Sequence, residues 1–133
     1  MGHARPGMPE TFDLDLDHWP RRAAFEHFRA LDNPYFNVAL RLELGALVAA
    51  LPQAAAGASL SLAYHHAVLR AANESEAFRL RLEGGRVRVH GQVDASVAVL
   101  RDDDSIAFAY LRWQPSFGAF VAEDEQLAGG RHK

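Results

Sequence analysis

Two adjacent histidines, His65-His66, are the first residues in this chain whose side chains could do chemistry. An imidazole can ligate a metal or move a proton near neutral pH. The residues around them, Ser59 to Ala72, pattern as a helix, and neighbours on a helix diverge by about 100°. The two rings therefore cannot share one metal. Four residues further on stand Leu69 and Arg70, not another ligand, so the spacing does not make a zinc site. The simpler reading is one polar His buried in the core and one packed ring. Asp13, Asp15 and Asp17 copy the opening of a calcium loop, but His18-Trp19-Pro20 follow, without the glycine and the later glutamate such a loop needs. A solvated strand face explains them, and Asp102 to Asp104 read as a turn cap. Gly57-Ala58-Ser59-Leu60-Ser61 lacks the closing glycine of a nucleophile elbow. Gly84-Gly85 lacks the lysine of a phosphate loop. The chain has no cysteine, which removes disulfides, thiolate metal sites and a cysteine nucleophile.

Composition narrows the classes further. With 49% hydrophobic and 23% charged residues, the 133-residue chain patterns as one soluble globular domain. A net charge of -3 offers no basic excess for nucleic acid and no polybasic cluster for a membrane surface. Met1 to Glu10 has no apolar core of a signal peptide, and the longest apolar run, Leu44 to Leu51, is too short to span a bilayer. These readings predict a cytoplasmic protein with no nucleic-acid and no membrane partner.

The elements that would position a site follow from periodicity. Residues 1–10 read as a flexible leader, 11–128 as the domain and 129–133 as a tail. Phe12, Leu14 and Leu16 alternate with three aspartates, which predicts a half-buried strand. Arg22 to Leu31 predicts a helix with Phe25, Phe28 and Leu31 on one side, broken at Asp32-Asn33-Pro34. Tyr35 to Leu44 alternates most clearly: Phe36, Val38, Leu40, Leu42 and Leu44 on one face, Asn37, Ala39, Arg41 and Glu43 on the other. Gly45 to Leu51 predicts a short helix stopped at Pro52. Ser59 to Ala72 is apolar around most of its circumference, which predicts a well-buried helix. Phe78 to Glu83, the Gly84-Gly85 turn and Arg86 to His90 predict a tight hairpin. Strands near Ala95 to Leu100 and Ser105 to Leu111, then a helix from Ser116 to Gln126, complete the chain. The order predicts an α/β (α+β) fold, a sheet with helices packed on one face.

The same landmarks, in this order, resemble a known family. The run from Phe12 to Phe28, with Trp19, Arg21, Arg22, Phe25 and Phe28, is similar to the opening of chloramphenicol acetyltransferases. Pro34 and Phe36 before the alternating run are a second marker. Asn73 at the end of a helix, then Phe78-Arg79, then a hairpin with glycine in its turn, are a third. The resemblance runs from about Phe12 to Phe120 and covers the family's N-terminal part.

That resemblance implies a two-layer α/β sandwich with a mixed β-sheet. It implies a homo-trimer with active sites between subunits, acting in antibiotic resistance. Acetyl-CoA is the expected co-substrate, a chloramphenicol-like small molecule the acceptor, and no metal is expected. In the family a histidine in a His-His-x-x-x-Asp-Gly motif near the C-terminus is the general base, and a serine steadies the oxyanion. His65-His66-Ala67-Val68-Leu69-Arg70-Ala71 lacks the Asp and Gly and lies where the family has a buried helix. It is not that motif. No catalytic residue is therefore expected in this chain, which reads as truncated before the base. What the resemblance does place here is the acceptor wall: His27 and Phe28 as aromatic contacts, Pro34 and Phe36 next to them, and one contact on the strand near Ile106 or Phe108, whose register stays open. Asp32 stands at a usually apolar pocket position. Arg21 matches the arginine that pairs with the motif's aspartate. The alternative is a non-catalytic half-domain that binds an aromatic ligand or a partner subunit, with an exposed sheet edge and an apolar face prone to association.

Overall fold

A computed structural model describes residues 9–129. Residues 1–8 of the expected leader and 130–133 of the expected tail lie outside the described residues. Strand β1 (Phe12–Asp13) pairs antiparallel with Val89 and Arg88. It is far shorter than the alternation of leucine and aspartate predicts. Asp15 ends it by accepting the Asp17 backbone N–H at 3.0 Å and capping a 3-10 turn, Leu16–His18. Such a side-chain bond gives the backbone a local alternative to a ladder. Asp17 then pairs with Arg22 at 2.5 Å and Asp13 with Arg86 at 2.7 Å, so these aspartates serve exposed ion pairs, one local and one to β3. Helix α1 (Arg22–Arg29) follows, two residues shorter than predicted.

The most regular alternation in the sequence does not become a strand. Residues 33–44 carry no regular secondary structure, and Tyr35, Phe36 and Leu40 are 86%, 85% and 79% exposed. Alternation states which faces a strand would have. A strand forms only where a neighbour takes its N–H and C=O groups, and no described strand pairs with this segment.

Helix α2 (Gly45–Ala54) runs past Pro52, which sits in its last turn. Only one internal hydrogen bond is lost at such a position. Helix α3 (Leu60–Glu74) starts where the Ser59 side chain accepts the Leu62 N–H at 3.1 Å. Its pattern, apolar around most of the circumference, predicts a well-buried helix, but only Ala63 and Leu69 are buried; Leu60, Tyr64 and Val68 face solvent. The inner side carries Leu62, His66, Leu69 and Asn73, buried or half-buried.

After a 3-10 turn at Glu76–Arg79 come β2 (Leu80–Glu83) and β3 (Arg86–Val89). Gly84 and Gly85, at φ 56° and 79°, close this hairpin with Glu83 opposite Arg86. Both angles lie where only glycine sits without strain. Strands β4 (Ala95–Leu100) and β5 (Ile106–Leu111) pair along their full length. The turn between them holds Asp104 at φ 61°, with Asp103 accepting from the Ser105 N–H at 3.0 Å, as a turn cap should. Helix α4 (Phe117–Gly129) comes last.

Helices on one side of small antiparallel sheets make the α/β sandwich expected. The described sheets are a three-stranded piece, β1-β3-β2, and the β4-β5 pair. The core joins Leu69 of α3, Leu111 of β5 and Phe120 of α4, with Leu62, Val97, Trp113 and Phe117 packed around them. No described helix is long and apolar enough to cross a membrane.

Candidate acceptor site

The N-terminal segment builds a small aromatic wall. Trp19 closes the turn before α1, and its ring lies 6.0 Å from Phe25, tilted by 60°. Phe28, one turn on, is met edge-on by His27 at 5.2 Å. Phe25, Phe28, Arg29, Pro34 and Leu82 line one mostly apolar cavity of about 320 Å³. That is the lower end of the size range of small-molecule pockets. The Arg29 guanidinium sits 5.7 Å from the Phe25 ring centre, a cation–π contact that holds a charge at the edge of an apolar wall. The wall can accept a flat aromatic group.

The structure thus joins two of the expected contacts, Phe28 and Pro34, and sets His27 beside them. It does not bring the others in. Phe36 does not line the cavity and stands in solvent on the unpaired segment. Ile106 and Phe108 share the outer face of β5, 66% and 67% exposed, beside Tyr110 and Leu100. They form a second patch, separate from the cavity on α1. Asp32 is exposed and outside the cavity lining. Arg21 lies over Trp19 at 6.0 Å, and among the described residues no carboxylate pairs with it. Phe25, Arg29 and Leu82 line the cavity without having been among the expected contacts. Leu82 lies opposite the buried Val87 on the β2–β3 hairpin, and nothing within β2 itself places it against α1.

The two histidines go separate ways. His66 Nε2 donates to the Gln114 carbonyl at 2.8 Å, and its ring stacks on Trp113 at 5.0 Å against Phe117 and Phe120. It is a half-buried ring packed against the core. His65 Nδ1 lies 2.7 Å from the Ser61 carbonyl. A carbonyl only accepts, so Nδ1 carries the proton and Nε2 is the ring's basic atom. His65 lines a larger cleft of about 530 Å³ with Ser61, Tyr64 and Asp124. This cleft is bigger than the one on α1 but holds none of the expected acceptor contacts.

The structure is thus an α/β sandwich with an aromatic wall on its first helix. The sequence matches the family model for chloramphenicol acetyltransferase over residues 10–129, so the chain belongs to that family. A solved chloramphenicol acetyltransferase is similar to it at 28% identity with a TM-score of 0.79, covering 90% of this chain and 56% of that one. The chain therefore spans just over half the length of that relative. Among curated proteins none matches it.

Proposed function

We propose that residues 10–129 form the acceptor-binding part of an acetyl-CoA-dependent O-acetyltransferase. The cavity of Phe25, Phe28, Pro34 and Leu82 supports this reading, because it stands on two positions that the resemblance assigns to the acceptor. In this reading the wall stacks on the aromatic ring of a chloramphenicol-like molecule and orients its hydroxyl. Acetyl-CoA supplies the acetyl group. The base, the oxyanion serine and the three-fold assembly draw on the part of the fold beyond the matched half. The domain at 11–128 and a cytoplasmic setting belong to the same reading.

The test is made on the purified 133-residue chain. Chloramphenicol is expected to shift the ring resonances of Phe28 and His27, and Phe28→Ala to abolish the shift. Mixing with acetyl-CoA is expected to release no CoA above background. CoA release would place a base within this chain, with His65 Nε2 the first to substitute. Absence of any chloramphenicol shift would favour the second reading, a non-catalytic module, for which the exposed apolar segment 35–44 and the outer face of β5 speak.

A further inference from the structure

We infer that the cleft beside His65 is a second binding site, one that takes an ammonium group carried on an apolar body. The inference does not depend on the acetyl-transfer reading. The cleft holds about 530 Å³, inside the size range of small-molecule sites. Its walls come from α3 and the turn before it, the β4–β5 pair and α4, and it shares no residue with the cavity on α1. On α3, the Ser61 carbonyl takes the Nδ1 proton of His65 at 2.7 Å, so the ring presents Nε2 as an acceptor. That bond and the Tyr64 ring, 4.4 Å away and tilted by 30°, hold the imidazole in place. On α4, the half-buried Asp124 adds a carboxylate. The sheet supplies an apolar wall of Val97, Ala109 and Leu111, the last two buried. Among the described residues no lysine or arginine lines the cleft.

The chemistry of these groups selects the ligand. A carboxylate only accepts, and so does Nε2 of a ring protonated at Nδ1. A ligand that serves both must bring more than one donor. It gains most where the donor is charged, because a hydrogen bond between ionised groups is about twice as strong as a neutral one. A primary ammonium has three donors and no acceptor. An alcohol has a single donor and no charge, and an anion would meet the Asp124 carboxylate with no cation in the lining to offset it. The apolar body of the ligand covers Val97 and Leu111, which gives the site the mixed character of a small-molecule pocket, an apolar wall with a few placed polar groups.

The probe is phenethylamine, with phenethyl alcohol as its neutral counterpart, added to the purified chain at about pH 8, where an imidazole is ordinarily neutral and an alkylammonium charged. The amine is expected to shift the ring resonances of Tyr64 and His65 and to leave those of Phe28 in place. The alcohol is expected to bind about tenfold more weakly. Asp124→Asn should lower the amine's affinity by about the same factor and leave the alcohol's unchanged. A second readout needs no variant: raising the salt from about 0.01 M to about 1 M should weaken the amine and not the alcohol. Equal affinity of amine and alcohol would overturn the proposal. So would amine binding that ignores both Asp124→Asn and salt, or the absence of any shift at Tyr64 and His65. Chloramphenicol reports separately through Phe28, so its failure to bind while the amine still shifts His65 would count against the acceptor wall alone.

Discussion

Asn73 ends α3, and its side-chain amide ties that helix to the segment before β4. It donates to the Leu69 and Val93 carbonyls, both at 2.9 Å, and accepts from the Val93 N–H at 2.9 Å. Asn73→Ala leaves both Val93 backbone groups without their partner in a half-buried place. It is expected to destabilise the chain by about 2 kcal/mol, read as a lower midpoint in urea unfolding with unchanged slope. Asn73 stood out in the sequence through its place in a family pattern, but the sequence alone does not say what it holds, because Val93 is far along the chain. Glu83 carries a pH dependence. The hydrogen bond from His90, at 2.6 Å, holds its carboxyl below the ordinary value of 4.5, with Arg88 adding to the effect and desolvation opposing it. A folded value below the unfolded one contributes stability that is present above the unfolded value and lost as pH falls through the folded one. The hairpin is therefore expected to weaken as pH drops below about 4.5, and His90→Ala should flatten that stretch of the stability curve. A curve of identical shape in the variant would sever Glu83 from it.

Elements with local causes were the legible ones. The β2–β3 hairpin follows from two glycines, the start of α3 from Ser59, and the β4–β5 turn from three aspartates. Each is decided within a few residues of itself. Gly85, at φ 79°, gives the sharpest check. No atom stands within 4 Å of where its Cβ would go, so Gly85→Ala adds no clash and tests the backbone angle alone. It is expected to lose about 1 kcal/mol, measured by thermal unfolding; an unchanged midpoint would mean that the turn relaxes. Elements with remote causes were not legible. The run 35–44 has the best alternation in the chain and no strand, because pairing partners are not written in the segment itself. Helix α3 carries apolar residues around most of its circumference, and only its inner half is covered. The same logic splits the candidate site: Phe28 and Pro34 lie within one helix–turn unit and come together, while Phe36, Ile106 and Phe108 depend on neighbours that the described chain does not supply.

Across the whole molecule, the buried apolar side chains among the described residues begin only at Ala63: Ala63, Leu69, Val87, Val89, Ala109, Leu111, Phe120 and Val121. No described residue before α3 is among these, so the segment ahead of α3 rests on surface contacts, the short β1 pairing and exposed ion pairs. Exposed ion pairs contribute little each, and stability follows buried apolar contacts. Hydrogen exchange on dilute, monomeric protein is expected to divide the chain accordingly. Amides of α3 and of the β4–β5 pair should exchange slowly, and those of α1 and residues 33–44 close to the free rate. This division bears on function, because the acceptor wall lies on the labile side. A ligand that binds only the ordered wall must stabilise it by mass action. Saturating chloramphenicol is therefore expected to slow exchange in α1 while leaving α3 and β5 unchanged. Slowing spread evenly over the chain would mean one cooperative unit, and a protected α1 in the free protein would mean that the wall is preformed by packing that burial alone does not show.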